Sequence, residues 1–518
     1  MSSLRSMLLL SSLIPLAACG ADDVASPGEG VIVVPAPGPA PSPSPSPTPS
    51  PTPGGPYTGP VPTGFTDRGV VNNRRVFEMP TRFTQDTTIQ NFPGLVYSIS
   101  GPVNVGTDVG GDGNAAGGQR VTLTVQPGTI FIASAGNDYL VVNRGSRLNA
   151  AGTPTQPIIF TARANLDGTV TDSTQGLWGG IILLGRAPIS DCNTAVAGGS
   201  ANCQNVIEGT TGSLYGGNVA NDNSGTLQYV QIRYSGFAIA PGNELQGLTT
   251  GGVGSGTTLD HIQIHNSSDD GAEFFGGRQN AKYMVITGAD DDGLDTDLGY
   301  QGFIQFVIAV QRDASNGDSM IEADSNGNED ALPRQFTRVS NATFIQRGNT
   351  QGGNAILLRG GTDYALLNSV VVGPQACIDI DETGGTTTRE ADTALQDAGP
   401  PVFRSVALAC PTAFRDDNNV TVARIAQIFG TGTNGNNSAF VPTLTNVFVN
   451  GANETAVVAT NPTTFNIAGS TAPNQFTAGT YIGAVQNASD TWYAGWTCNA
   501  SYVNFGSTSG LCTALPTT

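Results

Sequence analysis

The sequence predicts an all-β fold, a parallel β-solenoid, from three observations: an internal repeat, a composition rich in turn residues and the absence of long helical periodicity. The segment Asp269-Asp270-Gly271-Ala272-Glu273 returns 22 residues later as Asp291-Asp292-Gly293-Leu294-Asp295. A repeat of this length corresponds to about one solenoid coil. The 68 glycines and 32 prolines, with only 12% charged residues, favour turns and strands over helices.

The repeat extends from about residue 226 to residue 382, with loop insertions of variable length between coils. Aligning the coils gives an apolar column that we expect to face the interior: Phe237, Ala272, Leu294, Met320, Ala355 and Cys377. Its neighbouring column carries Glu273 and Asp295 and should face outward, because successive side chains of a strand alternate. A second register, from Val230-Gln231-Ile232 to Phe344-Ile345, predicts another face.

The repeated acidic residues predict a calcium site. Stacked coils would place Asp270 beside Asp292 and Glu273 beside Asp295, about 4.8 Å apart. Unit charges at about 5 Å repel by about 3 kcal/mol at an effective dielectric near 20, so the column needs a cation, a shared proton or water. Asp-rich turns can supply the six to eight oxygens that Ca²⁺ binds. The predicted calcium ligands are Asp270, Glu273, Asp291, Asp292, Asp295 and Asp297. The alternative is a solvated acidic face whose Asp-Gly pairs make turns.

The charge balance limits the partners of the chain. A formal net charge of −19 and a pI near 4.3 argue against nucleic acid and against adsorption to anionic lipid. Cations and neutral ligands are compatible with it.

The first 64 residues read as export and anchoring segments. Residues 1–18 combine Arg5, a short apolar run and small residues, as expected of a signal peptide. Leu16-Ala17-Ala18-Cys19 resembles the lipobox of bacterial lipoproteins, which implies cleavage before Cys19 and acylation of that thiol, including with palmitate. In that family a residue such as Gly20 after the cysteine implies the outer membrane of a Gram-negative cell. Residues 19–64 are predicted to be the lipidated cysteine and a proline-rich tether, whose composition favours an extended polyproline conformation.

Several segments resemble a family of exported right-handed parallel β-helix lipoproteins of Gram-negative bacteria, mostly without assigned function. They are the turn and strand order of residues 121–163, the strand that starts Trp178-Gly179-Gly180-Ile181, the Asp-Asp-Gly repeats and the closing segment from Tyr481 to Trp496. The resemblance covers most of residues 120–500 and implies a right-handed parallel β-helix, for which we predict the bounds 65–400. Residues 401–518 would form looser β-rich coils, with a C-terminal aromatic cluster capping the open apolar end.

The cysteines other than Cys19 predict disulfides. Six cysteines in an exported protein suggest three bridges, for which sequence permits 15 connectivities. The simplest local pairing is Cys192–Cys203, Cys377–Cys410 and Cys498–Cys512. None shows the spacing of a redox or zinc motif.

These observations favour a non-catalytic function: a lipid-anchored binding protein of the cell surface or periplasmic side, stabilised by Ca²⁺ and contacting a glycan or an outer-membrane protein. One alternative is a Ca²⁺-dependent polysaccharide lyase, with Arg278, Lys282 or Arg312 as base, or a glycosidase using Asp270, Asp291 or Asp292. Another is a structural or adhesive surface component. His261 and His265, four apart on a strand, would share a face about 13 Å apart, too far to chelate one metal.

Overall fold

A computed structural model describes residues 54–240, 242–312, 317–325, 327–348, 353–416, 419–466 and 473–516. The predicted signal peptide, Cys19 and the tether up to residue 53 lie outside the described residues. No helix of the described part is long and apolar enough to cross a membrane.

Short strands are the main regular secondary structure of the described chain. In chain order they are β1 (Thr66–Val71), β2 (Arg74–Glu78), β3 (Arg82–Phe83), β4 (Thr87–Ile89), β5 (Leu95–Ile99), β6 (Pro102–Val105), β7 (Thr122–Val125), β8 (Ile130–Ala133), β9 (Tyr139–Val142), β10 (Arg147–Ala151), β11 (Ile158–Ala162), β12 (Ile181–Leu184), β13 (Asn205–Val206), β14 (Leu214–Tyr215), β15 (Gly225–Arg233), β16 (Phe237–Ala240), β17 (Asn243–Leu245), β18 (Leu248–Gly251), β19 (Thr258–His265), β20 (Ala272–Phe275), β21 (Asn280–Thr287), β22 (Leu294–Asp297), β23 (Phe303–Val310), β24 (Ile321–Ala323), β25 (Phe336–Ile345), β26 (Asn354–Leu358), β27 (Asp363–Val372), β28 (Ala376–Ile380), β29 (Val402–Ala409), β30 (Thr412–Phe414), β31 (Cys498–Asn499) and β32 (Gly510–Leu511). The helices are α1 (Arg163–Leu166), α2 (Val422–Phe429) and α3 (Ala452–Ala456), with 3₁₀ turns at Thr393–Leu395 and Pro462–Thr464.

The strands stack into two long sheets that are parallel apart from the first hairpin, β1–β2. The first sheet runs β1-β2-β5-β8-β11-β15-β19-β21-β23-β25-β27-β29, with β4, β7 and β10 beside it, and the second runs β3-β6-β9-β12-β18-β20-β22-β24-β26-β28-β30. Each coil contributes one strand or strand pair to each sheet. The fold is therefore the predicted right-handed parallel β-helix, and its last parallel strand ends at Phe414.

The long strands of the first sheet bend at one residue each, which divides that sheet into two arms. The bending residues all have positive φ, a conformation unfavourable for any side chain with a Cβ. In three adjacent coils they stack as rings: Tyr229 lies 4.4 Å from His261, and His261 lies 4.4 Å from Tyr283, between ring centroids. The bending residues are Tyr229, His261, Tyr283, Phe306, Asn341, Asn368 and Ser405.

The core fills the space between the sheets, and its register corrects part of the sequence alignment. The interior column of the second sheet, all fully buried, is Leu248, Ala272, Leu294, Ile321, Ile356 and Ile378. Phe237, predicted in this column, instead belongs to the antiparallel hairpin β16–β17. Ile321, and not Met320, lies opposite Leu294. Ile356 and Ile378 continue this register, so Ala355 and Cys377 were misplaced by the same single residue. These errors arise because an insertion shifts the pairing by a number of residues that a short periodic pattern does not specify.

The outer face of the second sheet is partly covered by a long insertion after β12. Ile189, Ile207 and Tyr215 from this insertion pack over Ile182 and Leu184 of the sheet. A disulfide between Cys192 and Cys203 closes it. The other two disulfides are Cys377–Cys410 and Cys498–Cys512, so all three match the local pairing.

A helix covers the C-terminal end of the solenoid. Phe429 of α2 is fully buried and packs on Phe403 and Phe414, with ring centroids 5.4 Å apart in both pairs. Ile425, one turn earlier, is also fully buried. The cap therefore comes from α2 and not from the C-terminal aromatic cluster.

After Phe440 the described part of the chain runs back along the outer face of the first sheet; we call residues 444–466 and 473–516 the C-terminal strap. Trp496 lies edge-on to Tyr229 at 6.0 Å and to His261 at 5.4 Å. Other strap residues cover Ile308 and Val310 on the same face. The predicted capping aromatics lie here because this outer face is itself apolar and has to be shielded from water.

Candidate functional site

The Asp-Gly pairs form the turns that lead into the second sheet, and they join one coil to the next. The Asp292 N–H donates to Asp270 Oδ1 over 2.9 Å, and the Ser319 N–H donates to Asp292 Oδ1 over 2.6 Å. A Cβ on Gly271 would lie 2.6 Å from the Gly293 carbonyl oxygen, so only glycine allows this stacking distance. The repeated motif is thus explained first by coil stacking.

Three carboxylates converge directly after these turns; we call Asp270, Glu273 and Asp295 the acidic cluster. Glu273 lies opposite Asp295 on adjacent strands, as the repeat predicted. One carboxylate oxygen from each of the three residues lies within 4.8 Å of the others. Asp270 and Glu273 are each only 6% exposed. This is the spacing that oxygen ligands of one cation have.

Burial makes the ionised cluster unfavourable by itself. Desolvation, reinforced by the neighbouring carboxylates, raises the pKa of Asp270, Glu273 and Asp295 well above its usual range. In the described part of the chain, no salt bridge includes any of the three. A bound cation or retained protons must therefore compensate the charge.

Two neighbouring polar side chains leave oxygens unpaired beside the cluster. Gln246 Nε2 donates to Glu273 Oε2 over 2.7 Å and also contacts Glu208. Gln246 Oε1 and Thr249 Oγ1 are buried without a hydrogen-bond partner among the described residues. Thr249 lies opposite Glu273 on the preceding strand. An amide oxygen and a hydroxyl are both ligands that Ca²⁺ accepts, so the residues present fit that ion.

Sequence reasoning missed Glu208, Gln246 and Thr249. Thr249 would have been found had Leu248 been aligned with Ala272, because Thr249 then falls beside Glu273. Glu208 comes from the insertion after β12, and no sequence signal relates it to the repeat. Burial, with Glu244 nearby, raises the pKa of Glu208 to about 7.

The other three predicted ligands surround the cluster without joining it. The Asp292 carboxylate is used in coil stacking. Asp297 Oδ1 accepts a hydrogen bond from the Leu298 N–H over 2.7 Å, and burial raises the pKa of Asp297 to about 8. Burial, with Asp318 nearby, raises the pKa of Asp291 to about 6.

One coil further, an arginine neutralises the same column of carboxylates. Glu322 lies opposite Asp295 and pairs with Arg359, whose Nε also lies 3.0 Å from Asp324 Oδ2. The protein thus supplies a cation at Glu322, the third carboxylate of the column after Glu273 and Asp295. At the acidic cluster, in contrast, the described side chains present oxygen atoms that a cation could bind.

The basic residues considered for a lyase are placed elsewhere. Arg312 pairs with Asp290 over 2.6 Å, and Lys282 lies on the first sheet beside Gln305. Arg278 follows β20 and donates to the Gly299 carbonyl over 3.1 Å. In the described residues none of them has a hydrogen bond or ion pair with the acidic cluster.

The two histidines share the outer face of the first sheet, as predicted, and the C-terminal strap covers both. His261 lies in the outer ring stack, edge-on to Trp496 of the strap. His265 stacks on Tyr502 of the strap, with ring centroids 6.3 Å apart. His265 is fully buried, and its Nδ1 lies 2.9 Å from Thr287 Oγ1. Burial lowers the pKa of His265 to about 3, so it is neutral at physiological pH.

Comparison with known proteins gives one match. The family model described as a pectate-lyase-like β-helix domain matches residues 112–497, most of the solenoid and part of the strap. Neither the curated proteins nor the solved structures compared with the chain gave a significant match.

Proposed function

The chain belongs to the pectate-lyase-like β-helix family, and on that premise we propose that it is a lipid-anchored binding protein whose acidic cluster holds Ca²⁺. A domain of this family fits a surface or polysaccharide-related protein. The proposed ligand is a glycan or an outer-membrane partner that meets the outer face of the second sheet.

The observation that carries the calcium proposal is the convergence of three carboxylates with unpaired oxygens beside them. Asp270, Glu273 and Asp295 would supply charged ligands, and Gln246 Oε1 and Thr249 Oγ1 are the neutral candidates. Water or hydroxyls of the ligand would complete the six to eight oxygens. Bound Ca²⁺ would neutralise the buried charge and fix the spacing of the coils.

A hairpin beside the cluster supports a binding role for this face. Strands β16 and β17 project from the solenoid, and Ile239 near their turn is 43% exposed. Glu244, which lies opposite Ala238 in the hairpin, acts electrostatically on Glu208. This combination of an exposed apolar side chain with nearby polar oxygens suits a saccharide, which presents both C–H faces and hydroxyls.

The anchoring part of the proposal rests on the sequence of the first 64 residues. Acylation at Cys19 would attach the protein to the outer membrane, facing either the periplasm or the cell surface. The proline-rich tether would then hold the β-helix away from the bilayer.

The second candidate function is a Ca²⁺-dependent polysaccharide lyase or a glycosidase, which the family description favours. Ca²⁺ on buried carboxylates suits a lyase, but such a reaction also needs a base beside the metal. The described contacts of Arg278, Lys282 and Arg312 are with groups outside the acidic cluster. A structural or adhesive role is the third candidate.

The test is thermal unfolding of the full chain in detergent, with excess Ca²⁺ and with EDTA, for wild type, Asp295→Asn and the exposed control Asp167→Asn. Ligand at 100 times its dissociation constant adds about 2.7 kcal/mol of stability. We expect a Ca²⁺-dependent rise in wild type and Asp167→Asn that is lost in Asp295→Asn. Identical melting with Ca²⁺ and EDTA in wild type would rule out a tight site.

A polysaccharide panel then separates the candidate functions. Retention on a glycan without new chain ends identifies a binding protein. New reducing ends, or unsaturated ends, identify a glycosidase or a lyase. Loss of cell adhesion on deletion, with no glycan retained, would favour the structural role.

A further inference from the structure

We propose that a second site, separate from the acidic cluster, binds a small ligand carrying a carboxylate or phosphate group between Arg278 and Arg338. We call it the arginine cleft. The inference does not depend on the proposed calcium function, because the two sites lie at opposite ends of strand β20. Asp270 precedes the strand, and Arg278 follows it.

The cleft has the size of a small-molecule site. Its volume is about 920 Å³, near the upper end of the range typical of ligand pockets. One wall comes from the insertion after β12 and the other from the turns and strand ends of the solenoid. Polar and apolar groups alternate around it, among them Ser190, Gly198, Gln301 and Phe336.

Arg278 presents hydrogen-bond donors that the protein does not use. Its described hydrogen bonds both leave from Nη1, to the carbonyl oxygens of Gly277 and Gly299. The Nε and Nη2 groups have no acceptor within the described chain. No salt bridge of the described chain includes Arg278, although the protein carries 41 acidic residues. Two parallel N–H donors are the geometry that binds a carboxylate or phosphate in bidentate fashion.

Arg338 brings a second positive charge to the same cleft on a rigid support. It is 3% exposed, and its guanidinium carbon lies 3.7 Å from the Phe336 ring centroid and 4.6 Å from that of Phe303. The two rings hold the guanidinium by cation–π contact. Burial lowers the pKa of both Arg278 and Arg338 to about 10, so both remain charged at neutral pH.

A neighbouring arginine shows what this protein does when it neutralises a buried guanidinium internally. Arg334, 1% exposed, has Asp363 at 2.9 Å and Asp397 at 3.3 Å. Arg278 has no equivalent carboxylate among the described residues, and its side chain is half-buried. A partly desolvated cation is stabilised by pairing with an anion, so a ligand in the cleft would supply what Asp363 and Asp397 supply to Arg334. The anion-binding cleft is therefore a local exception in a strongly acidic protein.

The test is calorimetric titration of the full chain in detergent with glucuronate, with inorganic phosphate and with glucose as the neutral control. The variants are Arg278→Gln, Arg338→Gln, the charge-conserving Arg278→Lys and Arg163→Gln, an arginine on the surface outside the cleft. We expect saturable binding of at least one anion, weakened about tenfold or more in each glutamine variant of the cleft, because a hydrogen bond between charged groups is lost. Arg278→Lys should weaken binding less, and Arg163→Gln should leave it unchanged.

The two anions distinguish the source of the charged group. Glucuronate binding alone identifies a sugar carboxylate, and phosphate binding alone identifies a phosphorylated ligand. Binding of neither anion would overturn the proposal, and so would binding that persists in both Arg278→Gln and Arg338→Gln. Arg278→Lys keeps the positive charge. If this variant folds normally and still binds the anion more weakly, misfolding does not explain the loss of binding. Loss of the calcium effect in the separate melting experiment would leave this outcome unaffected.

Discussion

Glu273 and Asp295 lie opposite each other on adjacent parallel strands, with Asp270 close enough for the three carboxylates to share one ion. Directly opposed like charges destabilise a sheet unless something compensates them. The stability of this protein should therefore depend on cation, on pH and on the charge of each member of the acidic cluster.

In the absence of divalent cation, Glu273→Gln should stabilise the protein. The substitution removes one of three clustered charges and keeps an oxygen that can accept from Gln246. We expect an increase of about 1–3 kcal/mol in the free energy of unfolding in EDTA, together with a smaller response to Ca²⁺. Denaturant unfolding in EDTA measures it. A loss of stability in EDTA would show that Glu273 is not strained by its neighbours.

Without Ca²⁺, stability should fall as pH rises from about 4 to about 8. Burial raises the pKa of Asp297 from 3.8 to about 8, so the folded state holds this proton more tightly than the unfolded chain does. The resulting stability is complete below the unfolded pKa and is lost as pH rises through the folded pKa. His265 acts in the opposite direction between about 6.5 and 3, because its pKa is lowered.

Melting curves of wild type and Asp297→Asn in EDTA across this pH range isolate the carboxylate, because the His265 contribution is common to both. The difference in melting temperature should change steadily from pH 4 to pH 8. A difference that is constant with pH would mean that Asp297 titrates normally in the folded protein.

The C-terminal strap should loosen in Gln263→Ala. Gln263 Nε2 donates to the Cys498 carbonyl over 3.0 Å, and Gln263 Oε1 accepts from the Cys498 N–H over 2.7 Å. Truncation leaves both buried backbone groups unpaired, a cost of about 2–5 kcal/mol. Hydrogen exchange should accelerate in the strap around Cys498 before it does in the solenoid. The matched control is Gln427→Ala, because Gln427 is exposed. Equal hydrogen exchange in the two variants would show that Gln263 does not hold the strap on the sheet.

The C-terminal cap should depend on Phe429. This ring is fully buried against Phe403 and Phe414, so Phe429→Ala should cost about 3–5 kcal/mol. The control is Val422→Ala on the same helix, which is 42% exposed and should change stability by less than about 0.5 kcal/mol. Chemical denaturation compares them. Similar small losses in both would mean that the coils end stably without α2.

Several features of the architecture depended on information that the sequence repeat does not contain. The loops between coils differ in length, so the alignment misplaced Phe237, Met320, Ala355 and Cys377. The bends at residues such as His261 and Tyr283 reverse side-chain alternation, and a strand pattern with period two does not reveal them.

The sequence by itself determined the solenoid, because stacked coils require the same residue types at the same place in each turn. Asp270 beside Asp292 and Glu273 beside Asp295 followed from that repeat. The sequence left 15 disulfide connectivities open, and the structure contains the simplest, local one. Tertiary structure alone decided what covers the coils: Glu208 and Gln246 near Glu273, Arg278 with Arg338, and the strap over the first sheet. These contacts join residues far apart in sequence, and packing of apolar faces against water, rather than any periodic pattern, brings them together.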